Sequence, residues 1–582
     1  MKTKILSLIV AMIAVIALLA SCGGGGGGNT DGTGGNNDGN GGGADDGSGT
    51  GNNEYGYGNW ASSELLIEYS ENTQQNELSS GTKRYYAGME TTAREPIDNA
   101  VRSRNDQAVK AANVTLKYSW LPDENAYAWG ANVGRIVTQT AATTATAPDI
   151  YVNFAYDITC AQLRGCFANL LSEDPTVYEY GNHFRFIEDD YNPASDNYFD
   201  SSAGEGYFYH YMESLSLTPE TKMYCLASNF CVDLVRAFLV VPVNVYMMNG
   251  IKAESAPAGD RVGNGDGHNI ADFYDLVWNN EWNYDALAGY ATAVFKGNND
   301  GGPKADIYDT LGFCLGTASG LTGAGMLYTS SVKIIHFDET TGKYYYPETN
   351  KDLEDFVNNL RALMKNNESN GIATNNEGTV NGVSYGTDLK AIRARFSENN
   401  ILFGGVIAVG SLEDSVYQGM KPNGGFGVVP VPLYKDYVEG TNEYQTLVHN
   451  LARIVAIAAN STEKSQCTAY LDYQSRHSEA ILEDYYEYKL TAATQGGEAA
   501  SDNARMMVYI RNHVRNCFDK TFEDAISAYN KVTDLNADAT RWHYMIQKEN
   551  FQMSNISTRY EELYEDKQAD LDAIYAQWTE LK

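Results

Sequence analysis

Gly382-Val383-Ser384-Tyr385-Gly386 has the Gly-x-Ser-x-Gly spacing that can place a serine nucleophile on a sharp turn between a buried strand and a helix. The residues before it include Asn375, Asn376, Glu377, Gly378 and Asn381, a polar loop where that strand should be. Asn298, Asp300, Asp306 and Asp309 offer oxygens in a Gly-rich turn, the donor type a hard cation prefers. EF-hand spacing is absent and Pro303 interrupts the turn, so a solvated turn and no metal is the expectation. No Gly-Lys-[Ser/Thr] follows a glycine-rich loop, and none of the eight histidines lies in a His-Glu-x-x-His pair. Acid runs such as Glu188-Asp189-Asp190 and Glu483-Asp484 could furnish a glycosidase pair, but the separation that defines one is spatial. With no nucleophile, phosphate cradle or cofactor motif, the expected activity is binding rather than catalysis, with no cofactor.

The elements that would position a binding site alternate short β-rich runs with longer helical ones, an α/β pattern. Strands are expected at Val114–Trp120, Asp149–Phe154, Phe238–Tyr246 and Phe426–Val431. Asn269 can cap a helix carrying Ile270, Phe273, Tyr274 and Val277 on one face, with Asp272 at the acidic capping-box position. Asn283 can cap a second, with Leu287 and Tyr290 inward. Ile556, Tyr560, Leu563, Leu571, Ile574, Trp578 and Leu581 recur at three- and four-residue steps, an amphipathic C-terminal helix. Its polar face is acid-rich where a membrane-surface helix would be basic, so it should pack on the protein body. Asn366 to Thr387, rich in Asn and Gly, reads as a surface excursion.

The N-terminus carries Lys2 and Lys4, an apolar run from Ile5 to Ala20, and Leu19-Ala20-Ser21-Cys22. That is the order of a signal peptide, and the run is short for a spanning helix. Residues 1–21 are therefore expected to be removed, with Cys22, in a lipobox-like setting, lipidated as the new N-terminus. Residues 22–58, nearly all Gly, Asn, Asp, Ser and Thr after the cysteine, bury too little apolar surface to fold and read as a flexible tether. The expected location is the outer face of the cytoplasmic membrane, on the periplasmic side in a host with two membranes. A net charge of -33 argues against nucleic-acid partners. Seven further cysteines (160, 166, 225, 231, 314, 467 and 517) show no Cys-x-x-Cys spacing; buried small apolar residues is the default, and any disulfide pairing stays open.

Four stretches resemble the extracellular solute-binding lipoproteins of ABC importers, the carbohydrate-binding type. They are Pro96-Ile97-Asp98-Asn99-Ala100-Val101 through Arg104, Asn105 and Asn113-Val114; Phe273 to Val277 with Trp282-Asn283-Tyr284-Asp285; Phe396 through Phe403 with Phe426-Gly427-Val428-Val429-Pro430-Val431-Pro432; and Tyr444-Gln445 with Val448-His449. Pro148-Asp149-Ile150-Tyr151 through Ala155-Tyr156-Asp157 is similar to a strand and loop of the maltose-binding members, whose aromatic and acidic residues touch sugar. The resemblance implies a type II periplasmic-binding-protein-like α/β fold, with two lobes joined by crossing hinge segments at Phe238–Tyr246 and Phe426–Pro432. It places residues 59–240 and 428–478 in one lobe and residues 241–427 and 479–582 in the other. It implies Asn153, Tyr156 and Asp157 as ligand-binding residues, with Trp120 and Trp282 as stacking candidates. The implied partners are a small-molecule solute, an oligosaccharide first, the ABC permease subunits, and the membrane through the lipid. Two departures count against carrying specificity over: the family's acidic turn is degenerate at Asn298 to Gly302, and no aromatic lies between Gly404 and Gly410. A cell-surface glycan-degrading enzyme and a glycan-binding adhesin with no transport role are the alternatives.

Overall fold

The computed structural model describes residues 53–70, 82–88, 96–121, 131–142, 147–184, 206–251, 270–298, 304–317, 320–375, 379–380, 383–384, 389–420, 425–449, 451–486, 498–514 and 541–581. The signal segment, Cys22 and most of the Gly-rich tether, Asn269, Asp300 and Cys517 lie outside them.

In Ser63–Ser70 the two-residue period of a strand puts Leu65, Ile67 and Tyr69 on one face, and all three are buried. This strand is one of the two inner strands of a four-stranded sheet ordered 453–457, 150–154, 63–70, 114–121. Three strands are parallel, and Arg453–Ile457 closes the edge antiparallel, with Arg453 opposite Phe154. The helices Pro96–Ala112 and Ala131–Ala141 are the crossovers that parallel strands require, and Lys464–Arg476 packs on the first of them. Tyr69 lies level with both Trp120 and Val152, so the C-terminal ends of the parallel strands share one rim.

The second sheet is ordered 407–408, 239–244, 401–403, 311–316, 372–375, with Phe426–Val429 on the far side of Leu239–Asn244. Every residue of Leu239–Asn244 is buried, which explains its continuous apolar sequence. Gly405 has φ +75°, and a Cβ there would lie 2.7 Å from the Cys314 carbonyl; glycine lets the chain turn from Ile401–Phe403 into Ile407–Ala408 at this point.

Two antiparallel segments carry the chain between the sheets. Leu226 bridges Val455 in the first sheet, and Phe238 then bridges Val448. Leu239 N–H donates to Leu447 O and His449 N–H to Ala237 O, with the second sheet beginning at Leu239 and the first resuming at Arg453. This is the expected mixed α/β organisation; the second crossing, expected at Phe426–Pro432, runs instead at Leu447–His449, because Phe426–Val429 pairs with Leu239–Asn244 inside the second sheet. Thr50–Lys582 forms one compact unit containing both sheets.

The helices Ile270–Trp278 and Tyr284–Val294 form where periodicity puts them, and the Asn283 side chain caps the second by accepting from Ala286 N at 3.0 Å. The C-terminal helix is Ile556–Glu580. Two expectations change. The strand expected to reach Tyr246 ends at Asn244, whose side chain accepts from Met247 N and starts the helix Val245–Asn249. The excursion expected from Asn366 is partly regular, because Ile372–Asn375 pairs in parallel with Leu311–Gly316 as the second sheet's edge. Cys160, Cys166, Cys225, Cys231, Cys314 and Cys467 are buried thiols outside any disulfide, as the default reading held.

Candidate functional site

In an open α/β sheet the rim at the C-terminal ends of the parallel strands is where side chains, strand ends and helix N-termini converge. On the first sheet that rim holds four of the five sequence candidates. Trp120, near the end of Val114–Leu121, is half-buried and stacks on Tyr69 with ring centroids 4.9 Å apart and planes 18° from parallel. Tyr118 leans on it at 6.0 Å. Burial, with Asp106 adding to it, pushes the Tyr118 phenol up to about 12, so at neutral pH it keeps its proton and can donate.

The opposite face of the same sheet is polar. Asn153 lies next to the end of the buried strand Ile150–Phe154, is 1% exposed, and accepts Phe154 N–H on Oδ1 at 2.7 Å. Its Nδ2 is buried with no hydrogen-bond partner. Leaving a buried amide donor unmet costs on the order of 1–3 kcal/mol, so this donor is poised for an acceptor. Tyr156 and Asp157 begin the helix Ala155–Gln162, both buried. Asp157 Oδ2 accepts from Asn132 Nδ2 at 3.0 Å, which ties the first turn of one helix to that of Ala131–Ala141. One helical turn on, Arg135 gives Nη1 to the buried Glu68 carboxylate, while its Nε and Nη2 have no partner.

Trp282 does not join them. It is fully buried in the second-sheet core, its indole Nε1 donates to Pro430 O at 3.0 Å, and Phe273 and Phe403 pack on it at 5.0 and 5.1 Å. A ring enclosed in this way presents no face to a ligand, and the reading of Trp282 as a stacking residue gives way to one of core packing.

Behind the rim lies a buried charge ladder that sequence reasoning missed. Arg453 donates from Nη1 to Asp233 Oδ2 at 2.7 Å and from Nε to Ser70 O. Asp233 Oδ1 accepts from Arg236 Nη1 at 2.8 Å, and Arg236 Nε reaches Glu413 Oε1 at 2.8 Å. Tyr485 OH donates to the same Glu413 oxygen at 2.7 Å. Glu413 follows Ile407–Ala408 of the second sheet, whereas Arg453 and Ser70 are first-sheet residues, so the ladder joins the two halves beside the crossing strands. Tyr69 and the Ser63–Ser70 strand also escaped the sequence reading; the alternation Leu65-Ile67-Tyr69 was the available signal. No sequence spacing relates Arg453 to Asp233, 220 residues apart.

The chemical motifs find no support as sites. Ser384 pairs with Thr379 in a two-stranded antiparallel ribbon, which is not a strand-to-helix turn. Asp309 spends both carboxylate oxygens on the backbone N–H groups of Asn298 and Asp306. No group of three or more His, Cys, Asp or Glu side chains suited to a metal occurs among the described residues. No described helix is long and apolar enough to cross a membrane.

No family model matches this chain, and no curated protein matches it. Among solved structures it is similar to the GacH receptor of Streptomyces glaucescens, described unliganded and with acarbose, at 12% identity and TM-score 0.42 over 90% of this chain and 100% of that one. It is similar also to maltose-bound MalE3 of T. maritima (11%, TM-score 0.41, 88% and 100%). A third is a family 1 extracellular solute-binding protein from Bifidobacterium longum subsp. infantis (13%, TM-score 0.40, 88% and 98%).

Proposed function

We propose that this protein is an extracytoplasmic solute receptor that binds an oligosaccharide at the first-sheet rim and passes it, chemically unchanged, to an ABC importer. The observation that carries the reading is the pairing of a half-exposed ring, Trp120, stacked on Tyr69, with a buried polar set at the same rim that includes the unmet Asn153 amide. A sugar presents C–H faces that lie on aromatic rings and hydroxyls that both donate and accept. Closure of the second-sheet half onto the bound sugar, about the crossing strands, supplies contacts the free protein lacks.

A thermal-shift panel of oligosaccharides tests it. A cognate sugar at a hundredfold its dissociation constant stabilises the fold by about 2.7 kcal/mol. Absence of any shift across the panel sinks the reading, and new reducing ends in the same mixtures would establish a glycan-degrading enzyme. With the cognate sugar in hand, Trp120→Ala is expected to weaken binding by about 1 kcal/mol or more, the worth of a good ring contact. Asn153→Ala should weaken it by about 1 kcal/mol, the net value of a hydrogen bond. Isothermal titration of each variant measures both.

The same proposal places the protein at the outer face of the cytoplasmic membrane through a lipid on Cys22, a reading supported by Lys2, Lys4, the apolar run to Ala20 and the residues before the cysteine. Cys22→Ser is expected to abolish incorporation of labelled palmitate and to move the protein from the membrane to the soluble extracytoplasmic fraction. Retention in the membrane with unchanged labelling would refute the anchor.

A further inference from the structure

We infer that the last turns of the C-terminal helix act as a releasable clasp between the two halves, setting how far they swing about the crossing strands. The inference rests on the receptor reading only for its physiological meaning, that ligand affinity is tuned at a distance from the ligand.

Most of Ile556–Glu580 belongs with the second-sheet half. It packs on the helix Lys351–Asn367, which in turn packs on Tyr284–Val294 and on the edge strand Ile372–Asn375. Gln568 Oε1 accepts Tyr346 N–H at 2.7 Å, and Tyr575 OH accepts Tyr344 N–H at 2.6 Å. One turn later the helix changes partners. Trp578 is buried against Tyr224, with centroids 5.4 Å apart in an edge-on contact, and its Nε1 donates to Thr218 Oγ1 at 2.9 Å. The Lys222 ammonium donates to Trp578 O at 3.0 Å and Leu581 O at 2.6 Å, closing the helix end that its macrodipole makes negative.

Thr218, Lys222 and Tyr224 belong to the first-sheet half. Met223 O accepts from Leu170 N, Leu226 exchanges hydrogen bonds with Val455 of the first sheet, and Leu215 O accepts from Gln162. Tyr575 and Trp578 therefore grip different halves through three residues of rigid helix. A helix does not stretch, so rotation of one half against the other must pull Trp578 from its Thr218–Tyr224 seat or unseat Tyr575.

The test uses the full chain without ligand, carrying nitroxides at Lys117 in the first half and Asn358 in the second. Both positions are exposed, and the labels are attached through a clickable unnatural residue so that native thiols stay untouched. Electron–electron resonance reads the distance distribution for the parent, Trp578→Ala and Thr218→Val. Clasp action predicts that each variant raises the minor distance population by about fivefold or more, the low end of ordinary coupling between sites, with a single melting transition retained. Distributions superimposable on the parent's in both variants would overturn it. Thr218→Val removes only the hydroxyl acceptor, so it decides the matter even if loss of the indole impairs folding. The measurement contains no sugar; a clasp with no sugar response would leave this inference standing and defeat the receptor reading, and the converse result would do the opposite.

Discussion

Asp233→Ala is expected to lower stability by about 3–5 kcal/mol, the cost of breaking a buried ion pair from one side. Asp233 is fully buried and holds two guanidiniums, those of Arg453 at 2.7 Å and Arg236 at 2.8 Å. Removing its carboxylate takes away the anion that faces the Arg453 cation, itself 0% exposed, whose Nε donates to Ser70 O and whose guanidinium lies over Phe154. A pair of such charges contributes little relative to an apolar pair of the same volume, because each is stripped of water; the large effect comes from orphaning one of them. The control is therefore the double variant Asp233→Leu with Arg453→Met, which should recover much of the loss. Urea unfolding monitored by far-UV circular dichroism measures all of these. A cost below about 1 kcal/mol for Asp233→Ala, the range of an exposed pair, would show that the ladder is not the buried tie between the sheets that its geometry describes.

Trp282→Ala is expected to cost about 3–5 kcal/mol, as for other large aromatic core truncations, and to leave the dissociation constant for the cognate sugar unchanged in the folded fraction. The indole fills the space between Phe273 and Phe403, and its loss also leaves Pro430 O without the Nε1 donor. Trp120→Ala should show the reverse pattern, with a small change in stability and a marked loss of binding, because that ring is half-buried at the rim. Urea midpoints and titration calorimetry on the two variants separate the roles. A sugar affinity that falls in Trp282→Ala and holds in Trp120→Ala would invert the assignment and remove the rim from consideration.

The contrast between these two tryptophans marks the boundary of what the chain's linear order reveals. Both stand beside β- or helix-forming runs, and nothing in their neighbours separates a core ring from a rim ring. Local rules read the α/β class, the helices Ile270–Trp278, Tyr284–Val294 and Ile556–Glu580, and the strand into Phe154, because period and capping residues act over a few positions. The Ser63–Ser70 and Arg453–Ile457 strands and the 372–375 edge went unread, since short apolar runs and a polar Asn-rich flank carry a weak signal until a sheet accepts them.

By itself the sequence determined the alternating α/β plan and the residues Asn153, Tyr156 and Asp157 as one local group, and it raised the expectation of export at its N-terminus, all from properties of adjacent positions. Only the tertiary structure decided that Trp120 meets Tyr69, that Trp282 is core, that Asp233 stands between Arg453 and Arg236, and that one turn of the last helix grips both halves. Those pairings join residues tens to hundreds of positions apart. Contacts at that range are chosen by which faces bury together, a property of the packed whole and of no window of sequence.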